Sequence, residues 1–185
     1  MANLTPTPTL GGYDRSFGEL QLRERSELAL VSIAIPLDGL QAAEKALKSA
    51  FKLDLPNPGK SNVNKTYRLI RISPDQAMLV FEHATADAAR VVQQALQGSV
   101  YTTEQTDAWV VLTLTGATAR TALERLCPLD LHDLAFPVDT AARTVMEHMG
   151  AMILREAEDS FTLMSASSSA ASFLHAIETS IEYTR

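Results

Sequence analysis

The chain has 185 residues, 46% hydrophobic and 21% charged, which is enough apolar content to bury a core. Sixteen basic against twenty-two acidic residues leave a net charge of −6, a balance that argues against a broad nucleic-acid or anionic-membrane surface. One cysteine, Cys127, excludes an internal disulfide and fits a reducing cytoplasm, and no apolar run approaches the ~20 residues that span a bilayer.

The opening run MANLTPTPTL lacks the basic and apolar regions of a signal peptide. Residues 1–19 hold Pro6, Pro8, Gly11, Gly12 and Gly18 and show no regular period. They read as an extended arm that orders only against a partner. Leu28 to Ile35 is apolar on both faces and reads as a buried strand. Asp38 is placed to cap a helix running to about Phe51, with Leu40, Ala43, Leu47 and Phe51 on its apolar stripe. Residues 52–65 read as a loop, and Thr66–Ser73 and Gln76–Glu82 as strands joined at Pro74-Asp75. A helix from about Thr85 to Gln97 and a weak strand from Val100 to Glu104 close the first half.

The second half begins with a strand from Trp109 to Thr115, then Gly116 and a helix to Cys127. Strands follow near Arg143–His148, Ala151–Glu156 and Ser160–Met164, and a helix over about Ser168–Glu182 ends the pattern. Between helix and strand, Leu126, Leu129, Leu131, Leu134 and Phe136 put apolar side chains into a loop bounded by Pro128 and Pro137. So apolar a connection reads as a fixed, buried crossover.

The halves repeat one order. Each first helix is followed by Leu-Asp-Leu, at Leu53-Asp54-Leu55 and Leu129-Asp130-Leu131. The fold class expected is α+β, built from two pseudo-repeated βαββα units, ferredoxin-like halves. The expected organisation is an arm over 1–19, a first repeat over 20–105 and a second over 106–185, packed as one body.

Candidate chemistry is sparse. No two of His83, His132, His148 and His175 stand at metal-ligand spacing, and no Cys-x-x-Cys exists, so no metal site is expected. His132 beside Asp130 and Asp133 reads as a polar loop residue, and Cys127, on an apolar stripe, as a buried inert thiol. Ser165 to Ser169 lacks a nucleophile elbow and reads as a helix-capping run. Gly116 lacks the glycine pattern of a dinucleotide fold or a phosphate loop. Asn64-Lys65-Thr66 with Arg68 and Arg71 reads as a solvated face. Met146, Met149, Met152 and Met164 are read as core packing, with an adaptable protein contact as the alternative. No catalytic or cofactor-binding residue is expected in this chain.

Residues 119–155 carry Cys127-Pro128-Leu129-Asp130-Leu131-His132, Phe136-Pro137, Ala142-Arg143-Thr144 and His148-Met149-Gly150, and the last helix adds Ser172-Phe173 and His175-Ala176. This set resembles the γ subunit of bacterial heterotetrameric sarcosine oxidase, over roughly Trp109 to Tyr183. The resemblance implies a fold similar to the folate-binding aminomethyltransferases, the T-protein of glycine cleavage. It also implies membership of a cytoplasmic αβγδ complex, with α, β and δ subunits as partners and no nucleic acid or membrane. That complex demethylates sarcosine to glycine in sarcosine catabolism, using FAD, FMN, NAD and tetrahydrofolate, and makes hydrogen peroxide and methylene-tetrahydrofolate. Flavin and substrate sites belong to the α and β subunits, so this chain is expected to be non-catalytic and cannot name the substrate. The alternatives are a free-standing folate-binding one-carbon-transfer module and a γ subunit of a complex oxidising another N-methyl amino acid.

Overall fold

The computed structural model describes residues 7–184. The chain divides into two compact units, one of Glu27–Asp107 and one of Thr7–Ser26 with the chain from Ala108 onward.

The first unit runs β3 (Leu28–Ala34), α1 (Leu40–Phe51), β4 (Lys60–Val63), β5 (Tyr67–Ser73), β6 (Gln76–Glu82), α2 (Ala88–Ala95) and β7 (Tyr101–Glu104). Its antiparallel sheet has the order β4-β5-β6-β3-β7. Without the edge strand β4, this is the strand order of a ferredoxin-like unit. Ala29, Val31 and Ile33 project from β3 into one core with Leu47 and Phe51 of α1 and Val92 of α2. Period two on the strands and near four on the helices put these groups on facing sides.

The second unit repeats the plan with β8 (Trp109–Thr115), α3 (Ala119–Glu124), β9 (Ala141–Met146), β10 (Met149–Ala157), β11 (Ser160–Ala166) and α4 (Ala170–Tyr183). Its sheet has the order β1-β2-β8-β11-β10-β9, where β1 is Asp14–Phe17 and β2 is Leu20–Glu24. Strand β2 lies antiparallel to β8, in the place that β7 takes beside β3. The fold is thus the expected α+β with two repeated units, each carrying three strands between its helices rather than two.

Three expectations are corrected. Residues 14–17 are a strand and not part of an arm, and Phe17, Leu20 and Leu22 lie in the core of the second unit. Residues 20–24 therefore belong to the second unit, not to a first repeat over 20–105. The physical reason is pairing: Gln21 to Glu24 hydrogen-bond along β8, some 90 residues away in sequence, and local propensity cannot report a partner at that distance. The alternation Leu20, Leu22, Glu24 on the buried side was the available signal. Residues 1–6 of the expected arm lie outside the described residues.

The second correction is the loop 52–65, in which Lys60–Val63 pairs with β5 as an edge strand. The third concerns helix starts. Gly39 rather than Asp38 occupies the N-cap of α1, and Ser169 makes no side-chain cap to α4, its hydroxyl donating instead to the Ala166 carbonyl at 3.0 Å.

Candidate functional site

Helix α4 has two faces. Phe173, Ile177 and Ile181 enter the core, and Ser180 Oγ donates a 2.7 Å hydrogen bond to the Ala122 carbonyl, fixing α4 to α3. Ser172, Ala176, Thr179 and Tyr183 recur at helical spacing on the other side and wall a groove of about 530 Å³. Leu126 and Met149 line it as well.

The opposite rim is the β9–β10 turn. Met146 pairs with Met149, leaving Glu147 and His148 as a two-residue turn with φ of 45° and 69°. Positive φ at both central residues is the habit of hairpin turns whose twist matches the strands. The Glu147 amide donates to the Leu126 carbonyl at 3.4 Å, which ties this turn to the end of α3. Glu147 thereby faces the groove together with Arg125, whose guanidinium carbon lies 5.8 Å from the Tyr183 ring centroid. His175 completes the polar lining. Among the described residues, no carboxylate pairs with Arg125 and nothing hydrogen-bonds the Glu147 carboxylate.

Toward the other end of β10, the crossover loop is organised by a buried cation. Arg155 is 3% exposed. Its Nη1 donates to the Phe136 carbonyl at 3.0 Å, its Nη2 to the Glu158 carbonyl at 2.6 Å, and it pairs with Asp133 at 2.8 Å. The hydrogen bond from Arg155 holds the Asp133 carboxyl below the usual carboxylate range. With its donors engaged by the protein, Arg155 is a structural group. Sequence reasoning missed it, because an arginine in a strand pattern reads as solvent-facing. The loop is only partly the buried crossover expected: Cys127, Leu131 and Phe136 are buried, whereas Leu134 is 90% exposed. Pro128 and Pro137 bound a turn whose tip points outward, and Leu134 lies at that tip.

The other sequence candidates fall apart from one another. Cys127 is buried, and burial pushes its thiol pKa up. The backbone amide of His132, not its ring, meets Asp130, at 2.9 Å. Arg71 donates to the Pro56 and Pro74 carbonyls, and Arg68 to the Ser61 hydroxyl, so these cations serve the first unit's own turns. His83, Thr85 and Asp87 form a closed cluster before α2, where hydrogen bonds from Thr85 and then His83 pull the Asp87 carboxyl far down. Met146, Met152 and Met164 are buried, and Met149 reaches the groove. No group of three or more His, Cys, Asp or Glu among the described residues is placed to hold a metal ion.

Nor does the β8–α3 turn carry the pattern of a Rossmann-type dinucleotide site. That pattern places several glycines where a strand turns into a helix. The β8–α3 turn has Gly116 alone, at φ +127°, and a Cβ there would lie 2.5 Å from the Glu19 carbonyl oxygen. That glycine is explained by the close approach of the β1–β2 turn, not by a phosphate.

A ferredoxin-like α+β unit used twice is the class that this fold defines. Among solved structures, the chain superimposes on a chain of the heterotetrameric sarcosine oxidase from Corynebacterium sp. U-96, solved with pyrrole 2-carboxylate, with a TM-score of 0.78 and 23% identity over 90% of this chain and 87% of that one. It also superimposes on the glycine cleavage system aminomethyltransferase T from Bartonella henselae, with a TM-score of 0.59 and 17% identity over 90% of this chain and 53% of that one. The chain thus spans about half the length of that aminomethyltransferase. No protein-family model and no curated protein matches the sequence. The expected likeness to sarcosine oxidase and to the aminomethyltransferases is present at the level of the fold.

Proposed function

We propose that this chain is a non-catalytic γ-type subunit of a heterotetrameric sarcosine oxidase complex. The observation that carries this reading is the near-complete mutual coverage, 90% and 87%, with a chain of such an oxidase. A shared fold with little unmatched on either side is what an equivalent subunit requires. The α, β and δ subunits are its partners, and the complex works in the cytoplasm. It converts sarcosine to glycine, with hydrogen peroxide and methylene-tetrahydrofolate as products. FAD, FMN, NAD and tetrahydrofolate belong to the assembly, and this chain contributes structure. The groove residues Met149, Ser172, His175 and Ala176 fall within the sequence pattern that resembles the γ subunits.

The aminomethyltransferase-like fold favours a second reading, a free-standing folate-binding module for one-carbon transfer. Affinity-tagged chain, expressed at native level and purified under mild conditions, separates the two. The subunit reading expects stoichiometric co-purification with flavin-containing polypeptides, identified by mass spectrometry, and sarcosine-dependent peroxide formation by the complex but not by this chain alone. A monomer that binds tetrahydrofolate and retains no flavoprotein would overturn it.

A further inference from the structure

We infer that the groove between α4 and the β9–β10 turn receives a segment of a partner polypeptide in which a carboxylate stands beside an apolar side chain. This rests on the subunit reading above and names the surface that it uses.

The charge pattern selects the carboxylate. Arg125 is steadied by the Tyr183 ring and lacks a carboxylate partner among the described residues, with His175 on the same helix face as Tyr183. Leu126, Met149 and Ala176 offer the apolar surface beside it, and Met149 can adjust to an irregular neighbour. Glu147, on the turn, repels an anion from that rim and accepts a donor there, so the occupant is oriented. Arginine and tyrosine are also the residue types that most often anchor a protein interface.

The exposure of the walls selects a polypeptide over a free small molecule. Tyr183 is 73% exposed, and Arg125, Glu147, Ser172 and His175 are exposed as well. Small-ligand sites bury most of the ligand surface. A small carboxylate here would stay wet and gain little from Arg125, because charge attraction is weak in water. A polypeptide laid over the groove removes that water and strengthens the pairing.

The test uses the full chain in its native host, with a photo-crosslinking amino acid at Ser172 and, in a separate control, at Glu44 on the first unit. The Ser172 probe is expected to crosslink to a partner polypeptide at a segment containing Asp or Glu, and the Glu44 probe is not. Arg125→Glu is expected to lower recovered complex at least about tenfold without changing the melting temperature of the isolated chain. If the complex is recovered normally while Ser172 crosslinks to no polypeptide and Arg125→Glu assembles like wild type, the groove proposal is overturned and the subunit reading stands. If no partner polypeptide is recovered with any version of the chain, the subunit reading itself falls, and the groove proposal with it.

Discussion

The Arg155 guanidinium hydrogen-bonds the backbone carbonyl of Phe136 at 3.0 Å, a contact that joins strand β10 to the loop carrying the exposed Leu134. The same side chain also meets the Glu158 carbonyl and the Asp133 carboxylate. One buried cation thus holds the loop and the β10–β11 turn in fixed relation.

Arg155→Met is therefore expected to destabilise the chain by ~2–4 kcal/mol, because it leaves the buried Phe136 contact without its donor and removes the partner of Asp133. Urea denaturation at neutral pH measures this. The wild type should also show an acid dependence that is smaller in the variant, where Arg120 still meets Asp133, at 3.2 Å. Asp133 has a depressed pKa in the fold, so its contribution is present above the ordinary carboxylate pKa and is lost as pH falls through the lower folded value. Equal stability of variant and wild type would place Arg155 outside the loop's support.

Phe136 and Leu134 stand two residues apart and should behave oppositely. Phe136 is 5% exposed, and Phe136→Ala is expected to cost ~3–5 kcal/mol of folding stability. Leu134 is 90% exposed, and Leu134→Ser should stay within ~0.5 kcal/mol of wild type. Thermal melting of the two variants side by side decides it, and similar losses in both would contradict the loop geometry.

The segment 7–26 should behave as part of the second unit's core. Leu22 is fully buried, and Leu22→Ala is expected to cost ~2–5 kcal/mol. The buried Glu24 carboxylate accepts hydrogen bonds from the amides of Leu10, Gly12 and Tyr13, at 2.9, 2.8 and 3.2 Å. Those three amides should be protected from hydrogen exchange in the isolated chain. Free exchange there would restore the arm that orders only on a partner, and with it one argument for a subunit role that the observed strands remove.

Tyr13 gives a test at high pH. Desolvation, together with its 2.6 Å hydrogen bond to Glu178, pushes the phenol pKa up to about 12. A pKa raised by folding means that the contribution is intact below the ordinary tyrosine value near 10 and is lost as pH rises through the folded value. Absorbance titration should show a phenolate component near pH 12 that Tyr13→Phe removes. Its ionisation near pH 10 in the folded chain would contradict the contact with α4.

The sequence by itself determined the repeated order of strands and helices. Leu28–Ile35 and Trp109–Thr115 are short runs apolar on both faces, and stripes such as Phe173, Ile177 and Ile181 can serve only one helix face, so local periodicity is enough to read them. It marked no residue of the groove as a site: Met149, Ser172, His175 and Ala176 entered only through the resemblance to the γ subunits. Only the tertiary structure decided that residues 20–24 complete the second sheet, that Arg155 lies inside and Leu134 outside, and that Arg125, Glu147, His175 and Tyr183 share one concavity. Each of these depends on which distant backbone a segment meets. A strand's hydrogen-bond partner, an arginine's carbonyl acceptors and a groove's two walls lie far apart in sequence, beyond what local preference encodes.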